Sequence, residues 1–246
     1  MKRKNNTKRN VIILACVCMG IILGAAYMFF FSALLVGNDT KYVYIDNDDT
    51  IDSVYTKMSE FSKKGTQMTG FKMLVNNSKY ADNIRTGRYA LRPGEGSFVV
   101  FRHLKNGLQT PVNLVVPSVR TVDRLAAEFS KKLMLDSATI YHALADEATC
   151  QKYGYDTTTI AAMFIPNTYD IYWNVSTEKL LDRMHKECNR FWNAERKEKA
   201  NAMKLSPIEV STLASIIDEE TANDGEKPMV AGMYYNRLML RNAEYP

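Results

Sequence analysis

An uncharged stretch, residues 11–37, constrains this chain more than any other feature; it is rich in Ile, Leu, Val, Ala, Met and Phe. As a helix rising about 1.5 Å per residue it reaches roughly 40 Å, beyond the ~30 Å hydrocarbon core of a bilayer. A secretory signal is the competing reading, since it too has a basic head and an apolar middle. Signal cores run about 7–15 residues and end in small residues at a cleavage site. Here the apolar run is about twice that, and Tyr27, Met28, Phe29, Phe30 and Phe31 stand where small residues would be needed. A retained single span over residues 11–37 is therefore expected. Lys2, Arg3, Lys4, Lys8 and Arg9 precede it, so residues 1–10 form a basic tail that the positive-inside tendency places in the cytoplasm. The body, from about residue 38, then faces outward.

Those five basic residues also account for the net charge of +5. Without them the remaining twenty-seven Lys and Arg equal the twenty-seven Asp and Glu. A formally neutral body lacks the broad positive field that a phosphate backbone requires, so nucleic acid is not an expected partner. An exported body in a bacterium faces the cell wall, with no supply of ATP or nicotinamide. Cys16 and Cys18 fall in the apolar run, which leaves Cys150 and Cys188, too few and too far apart in sequence for a structural zinc site. The sequence leaves open whether those two form a disulfide or stay as buried thiols.

The pattern after residue 38 predicts an α+β fold. Residues 41–45 read as a strand, and Asp49-Thr50 opens a helix with apolar positions Ile51, Val54, Tyr55 and Met58. A short helix over 71–75, a strand over 88–91, a Gly94-Glu95-Gly96 turn, a helix over 98–104 and a strand over 111–116 follow. Together they suggest a small α+β module over residues 38–116. Beyond Pro117 the pattern turns helical, with apolar stripes at Val122, Leu125, Ala126, Phe129 and at Ile140, Ala143, Leu144. One long helix is predicted from Ser176 through Leu180, Leu181, Met184 and Phe191 into the charged residues 195–199, whose charges read as a solvated face. Ser206-Pro207-Ile208-Glu209 combines an N-cap, a first-turn proline and a capping-box glutamate, so a helix is expected to about Thr221. Another follows Pro228, over 229–240.

Nucleophilic and metal chemistry find little support. His103, His142 and His185 lie in three separate helical segments, without a G-x-S-x-G elbow or an H-E-x-x-H pair, and read as helix-surface residues. Carboxylates remain. Counting about 100° per residue from Leu213, Ile216 lies about 60° to one side, Ile217 about 40° to the other, and Glu220 about 20° away. Glu220 thus continues an apolar stripe, which predicts a poorly solvated carboxyl, with Asp218 and Glu219 adding repulsion; both effects raise its pKa. A glutamic acid that keeps its proton near neutral pH suits general-acid work at a glycosidic oxygen. The same residues also fit a helix end with Glu220 turned into solvent.

Several segments together resemble one family. A basic tail, one span, a small LysM-like module and then A-S-I-I-x-x-E-T at residues 214–221 are similar to the MltG (YceG-like) endolytic murein transglycosylases. The segment V-A-G-M-Y-Y-N-R-L at 230–238, F-I-P-N-T-Y at 164–169 and Gly87-Arg88-Tyr89 follow the family's pattern in its order. The resemblance implies a YceG-like catalytic domain over 117–246 and cleavage of the MurNAc-β-1,4-GlcNAc bond within peptidoglycan strands. It implies Glu220 as the catalytic acid, 1,6-anhydro ends as product, and neither metal nor cofactor. Asn236 and Arg237 align with residues that would face the sugar, or that pack and solvate a helix; Tyr169, Tyr172 and Trp173 could stack on sugar rings or fill a core. Asp218 stands where the family usually has Glu, and 164–169 carries an extra residue and Asn167 for Asp, so no catalytic role transfers there. Family members continue past the N-R-L helix with a D-P-T segment, whereas this sequence stops at Pro246, so the catalytic domain is expected to be incomplete at its C-terminal end. Glycan strands, a bacterial inner membrane and peptidoglycan synthases are the implied partners. A non-catalytic wall-binding anchor and a scaffold of the synthesis machinery are the rival readings.

Overall fold

The computed structural model describes residues 3–62, 65–118 and 121–244. Met1 and Lys2 of the basic tail lie outside the described residues, as does the chain end at Pro246. Helix α1 (Arg3–Ala26) continues into a π-helical turn, Tyr27–Phe31. Within it, Arg9–Phe31 is long and apolar enough to cross a membrane and is nowhere buried by protein.

The apolar run does not continue as helix to residue 37. Ser32 turns to extended backbone, its hydroxyl donating to the Met28 carbonyl at 2.6 Å. Leu34 and Leu35 then enter the core of the first compact unit, at 1% and 3% exposure. Six residues read as membrane-spanning, 32–37, thus lie beyond the helix, because the body offers Leu34 and Leu35 a dry site of its own.

The chain divides into two compact units, Met1–Pro111 and Val112–Pro246. In the first, β1 (Lys41–Ile45) pairs antiparallel with β2 (Gly87–Leu91), Val43 opposite Tyr89. Between them lie α2 (Ile51–Phe61) and α3 (Thr66–Asn76), and α4 (Ser97–Asn106) follows. Thr50 caps α2 by accepting from the Ser53 amide, and Val54 and Met58, one turn apart, bury the face it presents. Ile45, Phe71, Tyr89 and Leu104 close the core around them.

The second unit is built on β3 (Val112–Val116), which pairs antiparallel with β4 (Asn167–Ile171), Leu114 opposite Tyr169. The sequence reading grouped β3 with the first module. Its hydrogen-bonding partner lies fifty residues on, in a segment not read as a strand, and the inward residues Val112, Leu114 and Val116 join the second core. Helices α5 (Val122–Ser130), α6 (Ser137–Ala145), α7 (Glu147–Lys152) and a 3-10 turn (Ile160–Met163) fill the interval. Leu125, Phe129, Ile140 and Leu144 carry the predicted stripes into that core. Cys150 and Cys188 are free and buried, the second facing the Tyr155 hydroxyl at 3.4 Å; burial pushes both thiols up.

The long helix expected from Ser176 is two helices, α8 (Thr177–Phe191) and α9 (Ala194–Ala202). Trp192 leaves helical geometry to enter the core, and Asn193 caps α9 by accepting from the Arg196 amide. Helix α10 (Pro207–Glu220) starts with the predicted cap: the Glu209 amide donates to Ser206 Oγ while the Ser206 amide donates to Glu209 Oε2. Helix α11 (Lys227–Glu244) opens two residues earlier than expected, with Pro228 in the first turn, where a missing N–H leaves no bond unmade.

No residue of α10 is buried, so its first turn depends heavily on the cap. Ser206→Ala should cost about 1 kcal/mol and speed hydrogen exchange at the Glu209 amide about fivefold. Unchanged exchange there would show that packing, not capping, holds the turn.

Candidate functional site

The C-terminal half of α10 and the first half of α11 form one clasp, closed by polar groups. Lys227 Nζ reaches Asp218 Oδ1 at 2.9 Å and Asp224 Oδ1 at 2.8 Å. Hydrogen bonds from Lys227, and then from Ser118, hold the Asp218 carboxyl below the usual aspartate range, while Asp224 and Asp218 together push the Lys227 ammonium up. Between the helices, the Thr221 hydroxyl donates to Glu226 Oε2 at 2.9 Å, and the Asn223 amide donates back to Thr221 Oγ1 at 3.0 Å. Three acids at the negative end of a helix dipole are unfavourable by themselves; Lys227 offsets part of that cost at Asp218.

Glu220 is where the geometry departs from the sequence reading. The stripe of Leu213, Ile216, Ile217 and Glu220 is not a buried face: Ile216 and Glu220 are exposed, and Leu213 and Ile217 are half-buried. The helix leans on the second core through Val210, at the edge of that stripe about 20° around from Ile217. The expected dry carboxyl is thus corrected to an exposed one, because α11 covers only part of the apolar stripe. Glu220 does have one defined partner. Tyr234 donates its hydroxyl to Glu220 Oε1 at 2.6 Å, and the nearby carboxylate pushes the phenol's pKa up, so the proton stays on Tyr234. Arg237 sits over the Tyr234 ring at 5.7 Å, one turn along α11. Glu220, Tyr234 and Arg237 therefore stand in line.

The other expected site residues separate. Asn236 is exposed on α11, about 200° around the helix from Tyr234, and does not join the line. Tyr169 is a core residue at 6% exposure, with its hydroxyl donating to the Ile165 carbonyl, so its ring has no free face for a sugar. Strand alternation explains this, since Tyr169 sits opposite Leu114 on the inward side. Tyr172 is exposed and Trp173 packs against the core. Sequence reasoning missed Tyr234 and Lys227, both of which lie across a turn from α10, where helical spacing says nothing. The one available signal was chemical: a lysine soon after three consecutive acids. Among the described residues, no group of three or more His, Cys, Asp or Glu is placed to hold a metal.

A cleft of about 740 Å³ opens beside the clasp, with Phe164, Trp192 and Met203 among its walls and Ser211, Ser215 and Asp218 along the α10 side. Glu220 lies about 200° around the helix from Asp218 and does not line this space. The cleft and the Glu220 line are thus neighbouring but separate features of one helix.

Replacing Lys227 by Met should raise the Asp218 titration toward the ordinary value of 3.8, as read by carboxyl NMR. Because the folded carboxyl is held below its unfolded value, the clasp's contribution to stability is present above about pH 4 and is lost as pH falls further. An Asp218 titration unaffected by Lys227→Met would mean that the ion pair does not set it.

Residues 43–243 match the YceG-like family. No curated protein matches the chain. Among solved structures, a protein of Listeria monocytogenes described as yceG-like, known from a 2.6 Å crystal structure, is similar at 21% identity, with 82% of this chain and 71% of that chain covered and a TM-score of 0.48. The family match spans most of the chain and takes in both α10 and α11, and the chain belongs to the YceG-like family.

Proposed function

We propose that this protein is a membrane-anchored lytic transglycosylase that cuts the MurNAc-β-1,4-GlcNAc bond within peptidoglycan strands. The observation that supports the reading is the family match over residues 43–243, a range that includes the A-S-I-I-x-x-E-T segment and with it Glu220, the acid in this proposal. Tyr234 adds a physical reason. By donating to Oε1 it fixes that oxygen as an acceptor and leaves Oε2 to carry a proton.

In the proposed reaction, protonated Glu220 gives its proton to the glycosidic oxygen as the bond to muramyl C1 breaks. The carboxylate then takes the proton of the muramyl C6 hydroxyl as that oxygen bonds to C1. That proton regenerates the acid without any from solvent, and the product end is a 1,6-anhydro sugar. A second carboxylate that activates water, as in ordinary glycosidases, is not required. Asp218, kept ionised by Lys227 and turned to another side of α10, is unsuited to give the proton. Arg237 holds Tyr234 through its ring face.

The apolar helix supports an anchor in a bacterial inner membrane, with residues 1–10 cytoplasmic and the body outside, its first unit a LysM-like wall-contacting module. Peptidoglycan synthases sharing that membrane are the proposed protein partners. A second reading, a wall-binding anchor without catalysis, is favoured by one observation, the exposure of Glu220.

Glycan strands incubated with the full chain separate the two. Glu220→Gln should lower the yield of anhydro ends by about 10²–10⁴-fold. Tyr234→Phe removes a hydrogen bond to a charged group and should lower it about 10–100-fold, with binding to insoluble wall retained in both variants. Anhydro ends undiminished in Glu220→Gln would reject its catalytic role, and wall binding without any anhydro product would favour the anchor.

A further inference from the structure

The junction between the apolar helix and the first unit is tight. An added Cβ at Gly70 on α3 would lie 2.0 Å from the Phe29 carbonyl oxygen, and one at Gly96, before α4, would lie 2.5 Å from that of Phe30. Any other residue at either position would force the two backbones apart. The chain beyond is pinned as it leaves the helix: Gln67 donates to Ser32 Oγ at 3.0 Å, the Leu34 amide to the Glu95 carbonyl at 2.9 Å, and the Val36 amide to the Phe61 carbonyl at 3.0 Å. No free linker separates helix from module.

The height of this grip can be estimated. Starting at Val11, the first residue after the basic tail, about twenty helical residues cover the ~30 Å hydrocarbon core, which ends near Phe30. The two glycines therefore hold the helix where hydrocarbon gives way to headgroups. Two apolar side chains flank the grip and stay exposed. Met73, one turn beyond Gly70, is 48% exposed; Phe98, two residues beyond Gly96, is 40% exposed and lies 5.9 Å from the Phe31 ring. Tyr27, Met28 and Phe31 complete an aromatic and apolar collar of the kind that settles at a membrane interface.

We infer that the first unit is seated on the outer leaflet as a rigid extension of the span, with Phe98 and Met73 inserted into the interfacial lipid beside Phe31. The occupant is the bilayer itself, because the patch is continuous with the helix that crosses it. Two exposed apolar side chains on gripping helices then have a partner, and the module keeps one orientation to the membrane. This inference rests on the anchor proposed above and adds a second membrane contact to it.

The test uses the full chain with Cys16, Cys18, Cys150 and Cys188 replaced by Ala and a single fluorophore attached through Phe98→Cys or, separately, Met73→Cys. The protein is reconstituted into phosphatidylcholine vesicles, floated on a density gradient, and probed with bromine-labelled lipid and with aqueous iodide. Seating predicts that bromolipid lowers emission about twofold at both positions while iodide has little effect. In Gly70→Ala, floated protein should lose the bromolipid effect and gain iodide quenching, because the grip is spoiled. Floated protein quenched by iodide and insensitive to bromolipid at both positions overturns the seating and leaves the anchor standing. Protein that fails to float overturns the anchor and the seating together. Bromolipid quenching unchanged in Gly70→Ala overturns the grip as its cause.

Discussion

Charge closes the corner between α10 and α11, and the rest of the candidate site depends on that corner. Burial cannot do it, since α10 contributes no buried side chain and leans on the second core mainly through Val210. What brings the two helices together is Lys227 between Asp218 and Asp224, the Thr221–Glu226–Asn223 network, and the Tyr234–Glu220 bond. Each is a surface interaction worth little alone, and several sharing one turn act as a network. Such a clasp orients side chains without excluding water, which is why Glu220 has a fixed partner and an exposed surface at once.

Local chemistry was legible in the sequence wherever a few neighbouring residues decide it. The cap at Ser206, the alternation in β1 and β3, and the stripes of α5, α6 and α8 all follow from spacing and capping preferences within one or two turns. Pairing over distance was not legible. β3 has the alternation of a strand, but nothing in Val112–Val116 names Asn167–Ile171 as its partner. The break between α8 and α9 has the same origin: the charged residues after Trp192 continue a helical pattern, and only a core needing a large ring at that point explains the turn.

The burial of Glu220 failed for a related reason. A helical wheel ranks residues by the side they share; it does not say which side meets another element. In α10 the apolar stripe meets the core only at its edge, through Val210, and beyond that edge the large cleft is lined by the small or polar Ser211, Ser215 and Asp218. Composition pointed to Ile216 and Ile217 as the inward direction, whereas the fold brings the smaller residues toward the second core. The Tyr234 hydroxyl therefore orients Glu220 without excluding water from it.

A flexible linker and a rigid junction tether a module under different rules. A flexible linker lets a module explore a volume that grows with its length, and the membrane then acts on it only as a boundary. Here the apolar helix passes into a π-helical turn whose carbonyls press against Gly70 and Gly96, and three residues after that turn Leu34 is already in a core. The glycines are needed because a helix can approach another backbone this closely only where no Cβ intervenes. Small residues at a helix crossing are a membrane-protein solution to close packing, and in this chain that solution recurs at the point where the apolar segment ends. A module held this way inherits its orientation from the apolar helix.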